Sequence, residues 1–249
     1  MKTRRQFLHI SIALAAAMGG WGFQAARKTA EPVDPLLAGF QKSTVASVAD
    51  AVDQVIGKRG FMSHDMMPRV PGKVVGRAVT ALMRESAPDK ATPALSARHS
   101  VGMIDAARPG EVGIIVIENG LDVAGLGGLM GTAAKARGMA GIVIDGGVRD
   151  VAEVRALGLP VYARSVVPSS SVGRYATVAN GIPVKCAGVE VKPGDIVVAG
   201  EDGVVVVPQD KAMEVLKRSQ EIDARESKMV PLIKQYKTLG KAIEMFNRI

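Results

Sequence analysis

The sequence has few of the residues on which disulfides and zinc sites are built. It contains one cysteine and three histidines among 249 residues, which excludes an intrachain disulfide and any cysteine-based zinc cluster. No His-x-x-x-His or Glu-x-x-His spacing occurs, so no histidine-ligated zinc site is predicted. Cys186, in a strand-like context, is expected to be a small buried residue. We expect His64 to form a surface pair with Asp65, and His99 to be exposed or half-buried on a helix.

Aromatic residues are also scarce, with 5 Phe, 3 Tyr and 1 Trp. The formal net charge is +8, but the basic residues form no run and have few aromatic residues between them. Nucleic-acid-binding surfaces usually combine clustered Lys and Arg with aromatic side chains. We therefore predict no nucleic-acid partner and interpret the excess charge as a solvated surface.

The N-terminal segment has the pattern of an export signal. Arg4 and Arg5 precede a short apolar run, residues 10–18, which is about half of the ~20 residues that a membrane-spanning helix needs. This pattern resembles a twin-arginine signal, so we expect a periplasmic protein whose mature chain has no membrane span. Residues 1–30 are taken as signal and linker, and residues 31–249 as one domain. The cleavage site is poorly defined, so an uncleaved anchor stays open.

After the signal, helical and strand-like segments alternate. The predicted helices cover residues 43–57, 94–106, 129–139, 150–157 and, with breaks at Pro231 and Gly240, 209–247. The predicted strands cover residues 73–83, 112–118, 141–145, 160–163, 184–191, 196–199 and 204–207. This alternation predicts a single layered α/β domain with a central mixed or parallel sheet and a helical C-terminal tail.

The most informative stretch is residues 141–150, in which an apolar strand runs into a predicted glycine-rich turn. The turn presents Arg149 and Asp150 side by side. Arg149 can bind a carboxylate through its planar guanidinium, and Asp150 can bind a hard divalent cation through oxygen. This pair suits chemistry on a 2-oxo acid, in which charge develops on an enolate oxygen.

A second glycine-rich segment, residues 119–131, joins a predicted strand to a helix. Its glycines let the backbone approach a ligand, and the N–H groups at the start of the helix form a cradle for a carboxylate or phosphate. Gly125 and Gly127, with Asp145 about 20 residues on, partly resemble a dinucleotide-binding fingerprint. That interpretation fails because Met130 stands at the third glycine position and the strand–helix connection is too long. Ordinary turn chemistry is the alternative.

Together these motifs resemble the RraA-like proteins. This family includes metal-dependent 4-hydroxy-4-methyl-2-oxoglutarate aldolases and oxaloacetate decarboxylases, and one branch is named for inhibition of ribonuclease E. The matching stretches are the Gly-Gly-Leu-Met-Gly-Thr block from Gly127, the Asp-Gly-Gly-Val-Arg-Asp stretch at 145–150, and Pro193-Gly-Asp with Glu201-Asp-Gly-Val-Val-Val-Val-Pro. The resemblance covers roughly residues 40–245 and implies the swivelling-type α/β fold of that family.

The resemblance implies a role for each matching residue. The implied substrate-binding residues are Arg149 and the backbone of Gly127, Gly128, Leu129 and Met130. Asp150 is the implied direct ligand of Mg²⁺ or Mn²⁺. Aldolase members usually carry Asp or Glu at the position of Gly128, so the general base for aldol cleavage is not identifiable here. Decarboxylation needs no such base.

The resemblance also implies a homotrimer with sites between subunits. Family members complete the water shell of the metal with an acid from a neighbouring subunit, for which Glu201 or Asp202 is the candidate. The implied function is a divalent-metal-dependent lyase that cleaves or decarboxylates a small 2-oxo acid through the pyruvate enolate. The alternative is a non-catalytic binding or regulatory protein on the same fold. Export disfavours regulation of a ribonuclease, because that partner is cytoplasmic.

Overall fold

The structure, a computed structural model, describes residues 34–246 as a twisted mixed sheet with helices packed against it. The predicted export segment, residues 1–30, lies outside the described residues. The helices are α1 (Pro35–Lys42), α2 (Val45–Ile56), α3 (Pro93–Ala106), α4 (Gly128–Ala136), α5 (Val151–Ala156), α6 (Ala212–Tyr236) and α7 (Leu239–Phe246). Within residues 34–246, no helix is both long enough and apolar enough to cross a membrane.

Residues 34–246 also form eleven strands. They are β1 (Met67–Val70), β2 (Val74–Glu85), β3 (Val112–Ile117), β4 (Ala124–Leu126), β5 (Gly141–Val148), β6 (Val161–Val166), β7 (Tyr175–Asn180), β8 (Val184–Cys186), β9 (Val189–Val191), β10 (Ile196–Gly200) and β11 (Gly203–Val207). The main sheet has the order β1-β6-β5-β3-β2-β10-β11, with β4 paired to β5 and β7 paired to β2. Strands β8 and β9 form a separate hairpin.

The centre of the sheet is parallel and its margins are antiparallel. Strands β2, β3, β5 and β6 pair in parallel, whereas β1, β7, β10 and β11 join the sheet in antiparallel pairs. Every residue of β3 is buried, as expected for a parallel strand covered on both faces. The predicted layered α/β fold with a mixed sheet and a helical C-terminal tail is therefore confirmed.

In the described part of the chain, the core consists of three apolar clusters. One lies between the parallel strands and helices α3, α4 and α5, and a second lies between the sheet and the β8–β9 hairpin. The third packs α1, α2 and α6 over β10 and β11. Cys186 is fully buried in the second cluster, as predicted. Burial raises the pKa of its thiol well above the ordinary value.

Local chemistry explains where the predicted helix at 43–57 begins and ends. Thr44 Oγ1 accepts the backbone N–H of Ser47 at 3.1 Å, which caps the start of α2. Gly57 ends it with φ = 70°, a left-handed conformation that glycine adopts without steric cost.

The C-terminal helices differ from the prediction, since Pro231 lies inside α6 and Gly240 lies inside α7. Pro231 removes one helical hydrogen bond to the carbonyl of Ser227, but both residues are exposed. Solvent can therefore hydrate that carbonyl, which lowers the cost of continuing the helix. The break falls instead at Lys237, which has φ = 51°.

Candidate functional site

The predicted site residues meet at one edge of the sheet, where β4 and β5 end. These strands run in parallel, with Ala124 opposite Gly147 and Leu126 opposite Val148. The backbone N–H of Arg149 donates to the carbonyl of Leu126 at 3.0 Å. The pairing therefore places Arg149 beside the start of α4, and β4, which the sequence pattern did not predict, joins the two halves of the site.

The stretch predicted as a glycine-rich turn is part of β5, which continues to Val148. The register shifts between Ile144 and Gly147, and Gly146 has φ = 155°. A Cβ atom on Gly147 would lie 2.8 Å from the carbonyl oxygen of Val123. Gly146 and Gly147 therefore allow the preceding loop to pack closely against the strand, and they do not reverse the direction of the chain.

Asp150 adopts a left-handed conformation immediately after β5. Its φ is 53°, and it is the residue that precedes α5. Such a conformation in a non-glycine residue costs on the order of 1 kcal/mol and is found more often at functional sites than elsewhere. Its Oδ2 atom accepts the backbone N–H of Gly128 at 2.9 Å and lies 3.7 Å from Nε of Arg149. The Arg149 and Asp150 side chains are 42% and 40% exposed, so both remain open to a ligand.

The start of α4 provides the backbone cradle. Gly127 precedes the helix in an extended conformation, and the N–H of Gly128 is already engaged by Asp150. The next N–H groups, of Leu129 and Met130, belong to the first helical turn and have no partner within the helix. They are the donors that the helix geometry leaves for an anionic ligand.

Glu153 joins the site, although the sequence analysis did not select it. A Cβ atom on Gly128 would overlap Oε2 of Glu153 and would lie 3.7 Å from Cβ of Asp150. The carboxylate of Glu153 therefore occupies the space where a side chain at position 128 would begin. The missed signal is the spacing of Asp150 and Glu153, since the residue that precedes a helix and the residue three positions later lie close together at its first turn.

A cavity of about 220 Å³ opens beside these groups. Its lining includes residues 127–130, Arg149, Asp150 and Glu153, together with Ala97 from α3 and residues 170–172 from the loop between β6 and β7. Among the described residues, no group of three or more His, Cys, Asp or Glu side chains converges as a metal site would require. Asp150 and Glu153 are thus a pair of acids, and any cation held by them needs further ligands.

His99 contradicts the expectation of an exposed or half-buried side chain, since it is fully buried. Helix α3 packs mainly against β7 and β2. The ring nitrogens of His99 lie 2.7 Å from the carbonyl oxygen of Ser96 and 2.8 Å from that of Gly125 in β4. Burial lowers the pKa of His99, although the two carbonyl contacts oppose this shift. His99 therefore supports the strand that leads to the cradle.

The other predicted polar residues lie apart from this site. His64 is exposed, and Asp65 pairs with Arg164 at 2.8 Å rather than with His64. Arg164 also pairs with Asp145 at 2.9 Å, and Asp145 accepts the N–H of Ala187 at 2.5 Å. Asp145 thus has a structural ion pair, consistent with rejection of the dinucleotide fingerprint.

Within one chain, Glu201 and Asp202 are not brought to Asp150. They are exposed in the turn between β10 and β11. Burial, and then the charge of Glu201, raise the pKa of Tyr162 to about 12. Ala199, just before this turn, pairs with Val74 at the amino end of β2. Asp150 instead follows the carboxyl end of β5, which runs parallel to β2 through β3 in the same sheet. A contribution from Glu201 or Asp202 of a neighbouring subunit stays a prediction.

A family model shows which family the chain resembles over most of its length. The model of the RraA-like family, described as Aldolase/RraA, matches residues 45–206. The chain is 33% identical over 119 residues to a Halalkalibacterium halodurans protein named "Putative 4-hydroxy-4-methyl-2-oxoglutarate aldolase", which covers 47% of this chain and 56% of that protein. The chain spans about half the length of the curated relatives it matches.

Solved structures share the fold. A crystal structure of an uncharacterised protein from Pseudomonas syringae pv. tomato superposes with a TM-score of 0.77 at 28% identity, covering 86% of this chain and 96% of that one. Streptomyces coelicolor RraAS2, described as an unusual member of the RNase ES inhibitor RraA family, superposes with a TM-score of 0.68 at 28% identity, covering 79% and 96%.

Proposed function

The chain belongs to the RraA-like family, and from this premise we propose that it is a divalent-metal-dependent lyase acting on a small 2-oxo acid. Relatives that carry the aldolase name support a carbon–carbon lyase. The observation that carries the proposal is the convergence of Arg149, Asp150 and Glu153 at the start of α4. The reaction is the release of pyruvate through its enolate, by cleavage of a 4-hydroxy-4-methyl-2-oxoglutarate type of aldol or by decarboxylation of oxaloacetate.

The donor set fits Mg²⁺ or Mn²⁺. Both ions prefer oxygen ligands, and Mg²⁺ usually keeps several water molecules beside one or two protein carboxylates. Asp150 uses Oδ2 to accept the N–H of Gly128, which orients the carboxylate, and we assign it as the direct ligand. Glu153, whose carboxylate lies where a side chain on Gly128 would begin, supplies a second acid beside Asp150. When bound, the cation supplies a Lewis acid for the enolate oxygen.

The side chain of Arg149 and the N–H groups of Leu129 and Met130 bind the C1 carboxylate of the substrate in this proposal. The guanidinium offers two parallel donors to a carboxylate, and the helix start adds two more. These contacts hold the 2-oxo acid in one orientation and stabilise the charge that develops next to the carboxylate.

We assign Glu153 as the general base that the sequence pattern left unidentified. In aldol cleavage, Oε2 of Glu153 accepts the proton of the substrate C4 hydroxyl. The C3–C4 bond then breaks, its electron pair forms the enolate, and a carbonyl forms at C4. In decarboxylation the same bond breaks without that proton transfer, and CO₂ leaves. In both reactions the enolate then takes a proton at C3 to give pyruvate, from protonated Glu153 after aldol cleavage and from solvent after decarboxylation.

The proposal keeps the expected assembly and location. A homotrimer would bring Glu201 or Asp202 of a neighbouring subunit to the site, where it would order water around the cation. The twin-arginine pattern at Arg4 and Arg5 supports export to the periplasm.

A second candidate function is a binding or regulatory role on the same fold. The observation in its favour is Gly128, which lacks the acid that aldolase members usually carry. The similarity to RraAS2, described as belonging to a family of ribonuclease inhibitors, also favours it. The export pattern disfavours a cytoplasmic ribonuclease as the partner.

Pyruvate release separates the two functions. The purified protein is offered oxaloacetate or 4-hydroxy-4-methyl-2-oxoglutarate with Mg²⁺ or Mn²⁺, and in parallel with a chelator. We expect turnover that requires the metal and disappears in Asp150→Ala, while Asp89→Asn, a change in an exposed acid outside the cavity, leaves it unchanged. No turnover in a folded protein that binds Mn²⁺ would favour the binding role.

A further inference from the structure

Ser171 differs from the other buried polar residues in the described part of the chain. Nine polar or charged residues within 34–246 are buried, and eight of them have a side-chain hydrogen-bond partner there. These eight are Ser43, Ser47, Thr80, Ser96, His99, Ser100, Asp195 and Ser219. Ser171 is 5% exposed, yet its hydroxyl has no hydrogen-bond partner among residues 34–246.

The hydroxyl of Ser171 opens onto the cavity of the candidate site. Ser171 lines that cavity together with Arg149, Asp150 and Glu153. Its oxygen is not enclosed by protein, in contrast to the unpaired Oγ1 of Thr177, and the small accessible surface of Ser171 therefore faces the cavity. Buried polar groups nearly always have a hydrogen-bond partner. The partner of this hydroxyl must come from within the cavity, as water or as a ligand.

Hydrogen bonds hold the backbone that carries this hydroxyl. The carbonyl of Ser171 accepts the N–H of Tyr175 at 2.8 Å. On the other side of the loop between β6 and β7, the carbonyl of Ser169 accepts the N–H of Ala124 in β4 at 2.9 Å. The loop is therefore fixed on both sides of Ser171, and the hydroxyl is positioned before a ligand binds. A group positioned in advance loses less conformational entropy on binding.

The cavity is small, so one ligand contacts most of its lining. Pockets for drug-sized ligands have volumes of about 300–1,000 Å³, whereas this cavity has about 220 Å³. A ligand of few heavy atoms, such as pyruvate, matches that volume. All three oxygens of pyruvate accept hydrogen bonds and none donates, and a serine hydroxyl can donate to any of them. Ser171 can therefore act as a donor to such a ligand.

We propose that Ser171 is a further substrate-binding residue, whose hydroxyl donates a hydrogen bond to an oxygen of the bound 2-oxo acid. This inference rests on the proposed function, which identifies the ligand. It adds a donor from the loop between β6 and β7 to Arg149 and the N–H groups of α4. A serine nucleophile would need a base that is hydrogen-bonded to it. Ser171 has no such base within residues 34–246, so its role is binding.

Calorimetric titration of the full chain with pyruvate in the presence of Mn²⁺ measures this contact without turnover. We expect Ser171→Ala to bind pyruvate about 5- to 30-fold more weakly, because one hydrogen bond to the ligand is lost. Its affinity for Mn²⁺ should be unchanged, since the hydroxyl is assigned to the 2-oxo acid. Without pyruvate, its unfolding temperature should be unchanged or higher, because the substitution removes no hydrogen bond within the described protein.

The matched control is Ser169→Ala. It removes a hydroxyl from the same loop, one that contacts Arg174 and lies outside the cavity lining. We expect its affinity for pyruvate to equal that of the unmodified protein. An equal loss in Ser169→Ala and Ser171→Ala would attribute the effect to the loop as a whole and overturn the inference.

The remaining results separate the inference from the proposed function. Equal binding of pyruvate by Ser171→Ala and the unmodified protein would overturn the inference and leave the proposed function standing. Weaker binding of Mn²⁺ by Ser171→Ala would assign the hydroxyl to the cation, and a lower unfolding temperature would assign it to the fold. Either result would overturn the inference alone. Failure of the unmodified protein to bind pyruvate would overturn the proposed function.

Discussion

The carboxylate of Glu153 fills the space that Gly128 leaves empty. A Cβ atom on Gly128 would overlap Oε2 of Glu153, so a side chain at position 128 would displace the carboxylate of Glu153 from this place. The resemblance to the aldolase members of the family implies an acid at the position of Gly128. The structure thus relates the missing acid on α4 to one that reaches the same place from α5, which argues that Gly128 does not by itself remove catalysis.

Exchange of the two positions tests this relationship. Gly128→Asp should displace the flexible carboxylate of Glu153, with little change in the free energy of unfolding, and should lower activity by more than about tenfold, because a small displacement of the groups around Asp150 is costly. The double variant with Glu153→Ala should recover most of the lost activity, whereas Glu153→Ala alone should remain poorly active. Pyruvate release measures the activity, and thermal unfolding checks that each variant is folded. A folded double variant that is no better than Gly128→Asp would contradict the exchange.

Arg149→Lys tests the carboxylate contact. Lysine keeps the positive charge but lacks the planar pair of donors. We expect KM for oxaloacetate to rise by about 10- to 100-fold, which corresponds to a loss of about 1.4–3 kcal/mol of binding, with little change in unfolding temperature. Arg98→Lys, a change in an exposed arginine outside the cavity lining, is the control. An unchanged KM would place the substrate carboxylate elsewhere.

The sequence pattern predicted the elements whose signal is local. Strand β3 is a continuous apolar run and is buried as predicted, and α2 ends at Gly57 as predicted. Strand β4 was missed because it has three residues and owes its conformation to its pairing with β5. The glycines at 146 and 147 were assigned to a turn because their role depends on the approach of the Val123 loop.

The candidate site was predictable in part for the same reason. Arg149 and Asp150 stand next to each other in the sequence, so a local pattern was enough to select them. The relation of Glu153 to Gly128 depends on how α5 packs beside α4, which no local pattern contains. The burial of His99 likewise depends on the packing of α3 against the sheet, and a single polar residue in a helix does not indicate it.

The ion pairs of Arg164 should make the free energy of unfolding depend on pH in the acidic range. Burial raises the pKa of Asp65, but the hydrogen bonds from Ser63 and Arg164 outweigh it, so the pKa lies below the ordinary 3.8. A carboxyl group with a lowered pKa stabilises the fold above its unfolded pKa, and this contribution is lost as the pH falls through the lowered value.

Denaturant unfolding from pH 7 to pH 3 should show Arg164→Gln less stable by about 1–3 kcal/mol at pH 7. The difference from the unmodified protein should narrow below about pH 4. A difference that stays constant with pH would contradict this role of Asp65.

The buried ring of His99 should couple the stability of the fold to the geometry of the cradle. Its contact with the carbonyl of Gly125 at 2.8 Å supports β4, which ends just before Gly127. His99→Ala would leave a cavity and an unpaired buried carbonyl, at a cost of about 2–5 kcal/mol. Because the strand that carries the cradle would lose this support, KM for oxaloacetate should rise as well. His99→Gln retains a donor and should recover part of both losses.

Denaturant unfolding and steady-state kinetics measure the two effects. The control is Leu95→Ala, a change in a more exposed residue of the same helix. Loss of stability in His99→Ala without any rise in KM would show that this histidine stabilises the core and does not affect substrate binding at the site.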